Sequence, residues 1–286
     1  MKKIDLPAVT PLELYDSCLQ AMRAGDFKTR LENGKNEYQE LSSDYITKGQ
    51  NGRLSEILNL QSDEDNPIVA FNVRKDEFKR LYEYHLRDKG KPSRHFYDAI
   101  MLAAKEKCPF CGGLGMPTNL DHYLPKAHFP QFSIVPYNLI PACMDCNMGE
   151  KGDAFAVNLE DQVLHPYLDK DLFFNEQWIF GAVIPGPECS INFVSNPPEN
   201  WDPVDISRVN KHFSEFGLAK KYRLQATDEL TVIIYQRRKF MSNFSVAQFQ
   251  EFLIDQTEVP LPPNHWRKVF YKALANDHWF CSEAHL

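Results

Sequence analysis

The sequence predicts an α+β fold, a mostly helical chain built around a central cysteine-rich core, with one additional small β-hairpin. Three observations carry this expectation. Apolar residues recur at helical spacing in both flanks. Over 108–169 the apolar runs shorten, glycine and proline cluster, and every residue type that binds metal is present. Further on, two short apolar runs bracket a Pro-Gly-Pro turn. The expected regions are an N-terminal helical region at 1–100, the core at 101–172, and a C-terminal hairpin and helical region at 173–286.

In the first region, Thr10, Pro11 and Glu13 have the form of a capping box with proline at the first helical position. Leu12, Tyr15, Leu19 and Met22 follow as the apolar stripe, and Gly25 is the expected stop. The polar stretch 28–65 predicts a short helix or two with exposed connections. Phe78, Leu81, Tyr82 and Leu86 form a second stripe, broken by Gly90, Lys91 and Pro92. Ser93 is then placed to cap a helix carrying Phe96, Ile100 and Ala103. Beyond the core, 178–184 and 189–194 predict the hairpin around Pro185, Gly186 and Pro187, and 196–203 has the composition of a linker. Ser245 with Gln248 predicts another capping box, and Asn264 is the expected N-cap before Trp266, Val269, Phe270 and Leu274.

Size and composition narrow the function classes. With 286 residues, 43% hydrophobic and 25% charged, the chain has ample material for a core and is not of the disordered class. It has no apolar run of membrane-spanning length. Two lysines at the start precede no continuous apolar segment, so no secretory leader is expected and a reducing cytoplasm is. The formal charge of −7 argues against indiscriminate coating of nucleic acid, but phosphates respond to local patches. Over 74–94 there are eight Lys/Arg against four Asp/Glu, over 208–223 five against one, and Arg237, Arg238 and Lys239 follow. Either run could instead be an ordinary solvated helix face.

Four of the seven cysteines form two CxxC pairs, Cys108/Cys111 and Cys143/Cys146, separated by thirty-one residues. A two-residue gap lets both thiolates of a knuckle face one ion. Two knuckles complete a closed, structural four-sulfur zinc site, which suits the absence of an export signal better than disulfides do. Gly112 and Gly113 fit the turn of the first knuckle. Cys18, Cys189 and Cys281 have no such spacing.

Between and beside the knuckles lie Asn119-Leu120-Asp121-His122-Tyr123, then Pro136-Tyr137-Asn138-Leu139, then Cys146-Asn147-Met148-Gly149-Glu150-Lys151. Here the sequence resembles the HNH endonucleases, in the subset whose ββα-metal core is buttressed by paired CxxC knuckles. His122, Asn138 and Asn147 match the three signature positions, with Asn where many members have a final His. The resemblance covers about a fifth of the chain. It implies a zinc-stabilised ββα-metal core and hydrolysis of phosphodiester bonds. His122 would be the general base, Asp121 and Asn147 would hold a catalytic magnesium or manganese ion, and Asn138 would staple the loop that orients the base.

The residue chemistry agrees. An imidazole titrates near working pH, and hard oxygen donors such as the Asp121 carboxylate and the Asn147 amide suit magnesium or manganese. Asp121 and His122 would point to opposite sides of an extended strand. Lys151, a turn past Asn147, is a candidate phosphate contact, and His165, in the segment His165-Pro166-Tyr167-Leu168-Asp169, a candidate further ligand or leaving-group contact. Tyr82, Tyr84, Phe96 and Trp178 could stack on bases, although core packing explains most of them better. The expected partner is nucleic acid, DNA in preference to RNA. By resemblance the helical flanks also suit a nuclease subunit of a bacterial anti-phage defence system, with an ATPase partner or a second copy of the chain. The rival expectation is a non-catalytic zinc-knuckle module that binds nucleic acid or protein.

Overall fold

A computed structural model describes residues 1–186 and 188–283, so Pro187 of the expected hairpin turn and residues 284–286 of the expected C-terminal region lie outside the described residues. The chain is α+β, about half helical, with three separate two-stranded antiparallel sheets among the described residues. It divides into two compact units, 3–169 and 170–286 with residues 1–2. No helix among the described residues is long and apolar enough to cross a membrane.

The first unit opens with α1 (Pro11–Gln20), whose Thr10 capping box forms on both sides and whose buried face is Leu14, Tyr15, Cys18 and Leu19. Gly25 does not end this helix. The turn closes at Ala21, and Gly25 instead precedes α2 (Asp26–Asn33). The polar stretch holds more structure than its composition suggests, because α3 (Lys35–Gln50) is sixteen residues long. Its buried stripe is Tyr38, Ser42, Tyr45 and Gly49, a helical period written in tyrosines and small residues rather than aliphatics.

A small hairpin not foreseen in the sequence follows, β1 (Ile68–Ala70) with β2 (Val73–Arg74). Both residues of its turn, Phe71 at φ 36° and Asn72 at φ 59°, take the left-handed conformation that tight two-residue hairpins demand. The Phe71 ring lies where any side chain on Gly34 would sit, since a Cβ there would be 2.3 Å from it. Helix α4 (Lys75–Arg80) runs on through a wider helical turn, Leu81–Leu86, burying Phe78, Leu81, Tyr82 and Leu86 as the stripe predicts. Ser93 does not cap α5 (Arg94–Ala103). Its hydroxyl donates to the His85 carbonyl instead, and α5 buries Tyr97, Ile100 and the following Ala104 rather than Phe96 and Ala103.

Next come β3 (Asn119–His122) and β4 (Leu139–Ala142), paired so that Asp121 faces Ile140 and His122 faces Leu139. A helical segment, Asp145–Lys151, follows β4 directly. The order strand, strand, helix is therefore present, with both strands between the two CxxC pairs and the helical segment starting inside the second.

In the second unit, after the short α6 (Leu172–Asn175), the expected hairpin forms from β5 (Ile179–Ile184) and β6 (Ser190–Ser195). Ile179, Ile191 and Phe193 are its buried side, with β6 against α8 (Leu218–Phe240) and β5 against α10 (Trp266–Asn276). The segment expected as a linker is packed. Trp201 is buried, its indole N–H donates to Glu176 Oε2 at 3.1 Å, and Asp202 caps α7 (Pro203–Glu215). Helix α9 (Val246–Asp255) has the predicted Ser245–Gln248 box, and α11 (His278–Glu283) ends the described chain. Asn264 is not the cap of α10; His265 is. The buried Asn264 amide accepts the N–H groups of Trp178 and Ile179 at 2.8 and 2.9 Å and donates to the Glu176 carbonyl at 2.7 Å, tying that segment to the start of β5.

Candidate active site and metal centre

The two knuckles meet. Cys108 and Cys111 lie in the turn after α5, Cys143 just after β4, and Cys146 in the helical segment. All four are buried, and their sulfurs lie within 4.8 Å of one another. A tetrahedral zinc with bonds of about 2.3 Å needs sulfurs about 3.8 Å apart, so the tetrad fits a structural metal such as zinc. The first knuckle is shaped by backbone. Gly112 and Gly113 have φ of 72° and 92°, the Gly113 N–H donates to the Cys108 carbonyl at 2.8 Å, and the Gly115 N–H donates to Cys111 Sγ at 3.3 Å. Gly115 is also a spacing requirement, because a Cβ there would lie 2.5 Å from Cys143 Sγ. No other group of three or more His, Cys, Asp or Glu side chains is placed to hold an ion among the described residues.

The strand β3 sets the second centre. His122 is buried, and its Nε2 lies 2.9 Å from the Ser133 carbonyl oxygen. A carbonyl only accepts, so Nε2 carries the proton and Nδ1 is the basic nitrogen. Burial drives the imidazole pKa down to about 3, which keeps the ring neutral through the physiological range. The Tyr82 ring meets it edge to face at 4.4 Å, and the Tyr82 hydroxyl donates to the Leu120 carbonyl at 3.1 Å.

Asn138 holds the connection between the strands. Its Oδ1 accepts the Leu124 N–H at 2.7 Å and the Tyr45 hydroxyl at 3.0 Å, and its Nδ2 donates to the carbonyls of Leu124 and Phe132, both at 3.1 Å. This fixes the backbone just before Ser133, the residue that orients His122. Asn138 is fully buried and acts through that loop rather than by touching anything in the cleft.

Asp121 is buried, with its Oδ1 accepting from the Lys151 ammonium at 3.4 Å and its Oδ2 in an ion pair with that same ammonium. Burial raises its carboxyl to about 6, although Lys151 pulls the other way. The Lys151 ammonium is itself buried, 3.1 Å from Asp121 Oδ2 and 2.8 Å from the His122 carbonyl, to which it donates. Asn147 Nδ2 donates to Asn119 Oδ1 at 2.8 Å, joining the helical segment to the start of β3.

Asp121, His122 and Asn147 come together on one cleft of about 390 Å³, despite the alternation expected of neighbouring strand residues. Lys151 and His165 do not line it. Instead of reaching outward to a phosphate, Lys151 ties the helical segment to β3 from within. His165 is completely buried, its Nε2 3.3 Å from the Tyr45 hydroxyl and its Nδ1 accepting the backbone N–H groups of Tyr167 and Leu168 at 3.2 and 3.3 Å. Both ring nitrogens are thus engaged by the protein.

Sequence reasoning did not assign Arg87, Lys126, Asn119 and Asp153, which also line the cleft. Arg87 belongs to the basic run 74–94, so a signal existed, but nothing in a helix pattern says that its end borders a strand more than thirty residues later. Asn119, Lys126 and Asp153 flank the motif itself. In the second basic run, Arg208 is buried with its guanidinium 5.5 Å over the Phe173 ring, so that residue is core rather than surface charge.

No protein-family model matches the chain, and no solved structure matches it. Among curated proteins, protein ea31 of Escherichia phage lambda is 38% identical over 292 residues, an alignment that spans 98% of this chain and 99% of the phage protein. At that identity over the full length of both, the chain belongs to the family of phage lambda protein ea31.

Proposed function

We propose that this protein is a metal-dependent endonuclease of the HNH type, hydrolysing phosphodiester bonds of nucleic acid, DNA before RNA. The observation that carries this reading is the convergence of Asp121, His122 and Asn147 on one cleft, with His122 held as the Nε2–H tautomer by the Ser133 carbonyl. That tautomer leaves Nδ1 to take a proton from an attacking water, the role of a general base. Asn138 and Ser133 keep the ring in place while it does so. Lys151 holds the backbone of His122 and the carboxylate of Asp121 at a constant separation.

A magnesium or manganese ion is the cofactor of this reading, and the residues present fit one. Asp121 and Asn147 both line the cleft and carry hard oxygen donors, and magnesium commonly takes only one or two protein ligands and keeps its waters. Held there, the ion would neutralise charge developing on the phosphate and the leaving oxygen. The sulfur tetrad supplies no chemistry; it fixes the turn after α5 to the start of the helical segment that carries Asn147 and Lys151. Neither an ATPase nor a second copy of the chain is needed for these roles.

One observation favours the second reading, a zinc-knuckle module without catalysis. Lys151 already neutralises Asp121, so the carboxylate has a partner without an ion. The two readings separate in one assay. Purified protein is incubated with plasmid and magnesium or manganese, beside His122→Ala. Cleavage that falls by about 10²- to 10⁴-fold in the variant supports the base role. Cleavage that survives His122→Ala unchanged refutes it, and no cleavage by the wild type under any divalent ion favours the binding module.

A further inference from the structure

The cleft is lined by two acids, Asp121 and Asp153, beside Asn119 and Asn147, and by two cations, Arg87 and Lys126, which share a second feature. Both cations are placed by the Tyr82 ring, with the Arg87 guanidinium carbon 5.9 Å and the Lys126 Nζ 5.0 Å from its centroid. That ring also packs on His122. One aromatic side chain therefore fixes two positive charges relative to the base. Arg87 is exposed, and the counter-charge on Lys126 is Glu83, 2.6 Å away and itself largely exposed, a pairing weak enough in water to be shared with an incoming anion.

We infer that Arg87 and Lys126 form a phosphate-binding wall that grips the sugar-phosphate backbone of a nucleic acid strand beside His122. The inference rests on the nuclease reading for the identity of the ligand. It goes beyond that reading by assigning the binding residues and the character of their contact. A net charge of −7 makes such a wall necessary, because the molecule as a whole repels a polyanion and only a local patch can capture one. Contacts of this kind read charge and not bases, so the wall confers affinity that is independent of sequence and steep in salt.

The experiment measures binding apart from cleavage. Fluorescein-labelled single-stranded DNA, its duplex and an RNA of the same sequence are titrated with the full chain, without added divalent ion, by anisotropy across a salt series. Arg87→Ala/Lys126→Ala should weaken binding by about 10- to 100-fold at low salt, and lower the slope of log affinity against log salt by about two. Lys89→Ala, an exposed neighbour in the same basic run that does not line the cleft, should change little. The inference is overturned if the double variant binds with unchanged affinity and slope, if Lys89→Ala weakens binding as much, or if the wild type binds none of the three probes. A wild type that binds through these residues yet cleaves with no metal refutes the catalytic reading and leaves the wall standing.

Discussion

Asn138→Ala is the substitution whose effect can be worked out most fully. The side chain makes four hydrogen bonds with no access to water. Truncation leaves the Leu124 N–H and the Leu124 and Phe132 carbonyls without that partner inside the protein, each at about 1–3 kcal/mol. The Tyr45 hydroxyl loses its acceptor as well, because His165, whose Nδ1 accepts two backbone N–H groups, carries its proton on Nε2 and can only donate to the Tyr45 oxygen. Allowing for relaxation or an entering water, the loss should be about 3–5 kcal/mol, a large share of the ~5–15 kcal/mol that holds a domain together.

The effect should be local before it is global. The Leu124 amide should lose hydrogen-exchange protection. The His122 Nε2–H, which depends on the Ser133 carbonyl a few residues along the same loop, should broaden or vanish from the proton spectrum. Asn138→Asp keeps the shape but sets a carboxylate oxygen against two carbonyls, so it should be at least as harmful at neutral pH. Urea denaturation placing Asn138→Ala within about 1 kcal/mol of the wild type, with the Leu124 amide still protected, would refute the assignment of Asn138 as the staple of this loop.

Stripping the metal from the cysteine tetrad, or Cys143→Ser, should unfold the region around 108–151, because structural zinc supplies about 10–16 kcal/mol of apparent free energy in small zinc-finger peptides; a thermal transition unmoved by chelation would rule out a structural ion. Gly115→Ala should lower bound zinc by elemental analysis and soften the same transition, since its Cβ would lie 2.5 Å from Cys143 Sγ and 2.6 Å from Cys143 Cβ. Full zinc content in that variant would show that the knuckle can move aside. Acid should also destabilise the fold through His85, which burial holds neutral with its pKa lowered to about 4. The unfolded imidazole takes up a proton near pH 6.5 and the folded one only near 4, so stability falls as pH drops through that window. His85→Gln should flatten the slope there; an unchanged slope would place the acid sensitivity elsewhere, His122 being the next group held neutral.

What the sequence revealed and what it hid divide along physical lines. Caps at Thr10 and Ser245 were legible because a capping box is a local exchange between residues three apart, and both form. The four cysteines were legible because the ligand spacing is itself the geometry. Helix α3 was underestimated because its buried face is Tyr38, Ser42, Tyr45 and Gly49, residues an apolar count passes over although the period is helical. Asn264 and Ser93 have capping chemistry, but each spends it on a distant backbone group, a choice decided by tertiary packing. Lys151 had the spacing of a surface residue one turn past Asn147, yet the following Gly152 at φ 54° turns the chain at that point and the ammonium lies beneath β3.

That buried lysine explains how a two-stranded sheet with four residues a side can hold an imidazole and a carboxylate in register with an amide from the next segment. So short a pair cannot fix three side chains by its own ladder. The helical segment is tied to β3 at both ends, by Asn147 on Asn119 and by Lys151 on His122 and Asp121, while the sulfur tetrad anchors its start. On the far side the loop is stapled by Asn138, and Ser133 is held in turn by its hydroxyl donating to the Phe78 carbonyl at 2.8 Å. The ties through Lys151, Asn138 and Ser133 run through buried polar groups with named partners, so loosening any one should blur the position of His122 before it melts the unit. In the proposed reaction, such variants would therefore lose turnover while keeping most of their affinity for a strand held by Arg87 and Lys126, whereas losing the wall would do the reverse.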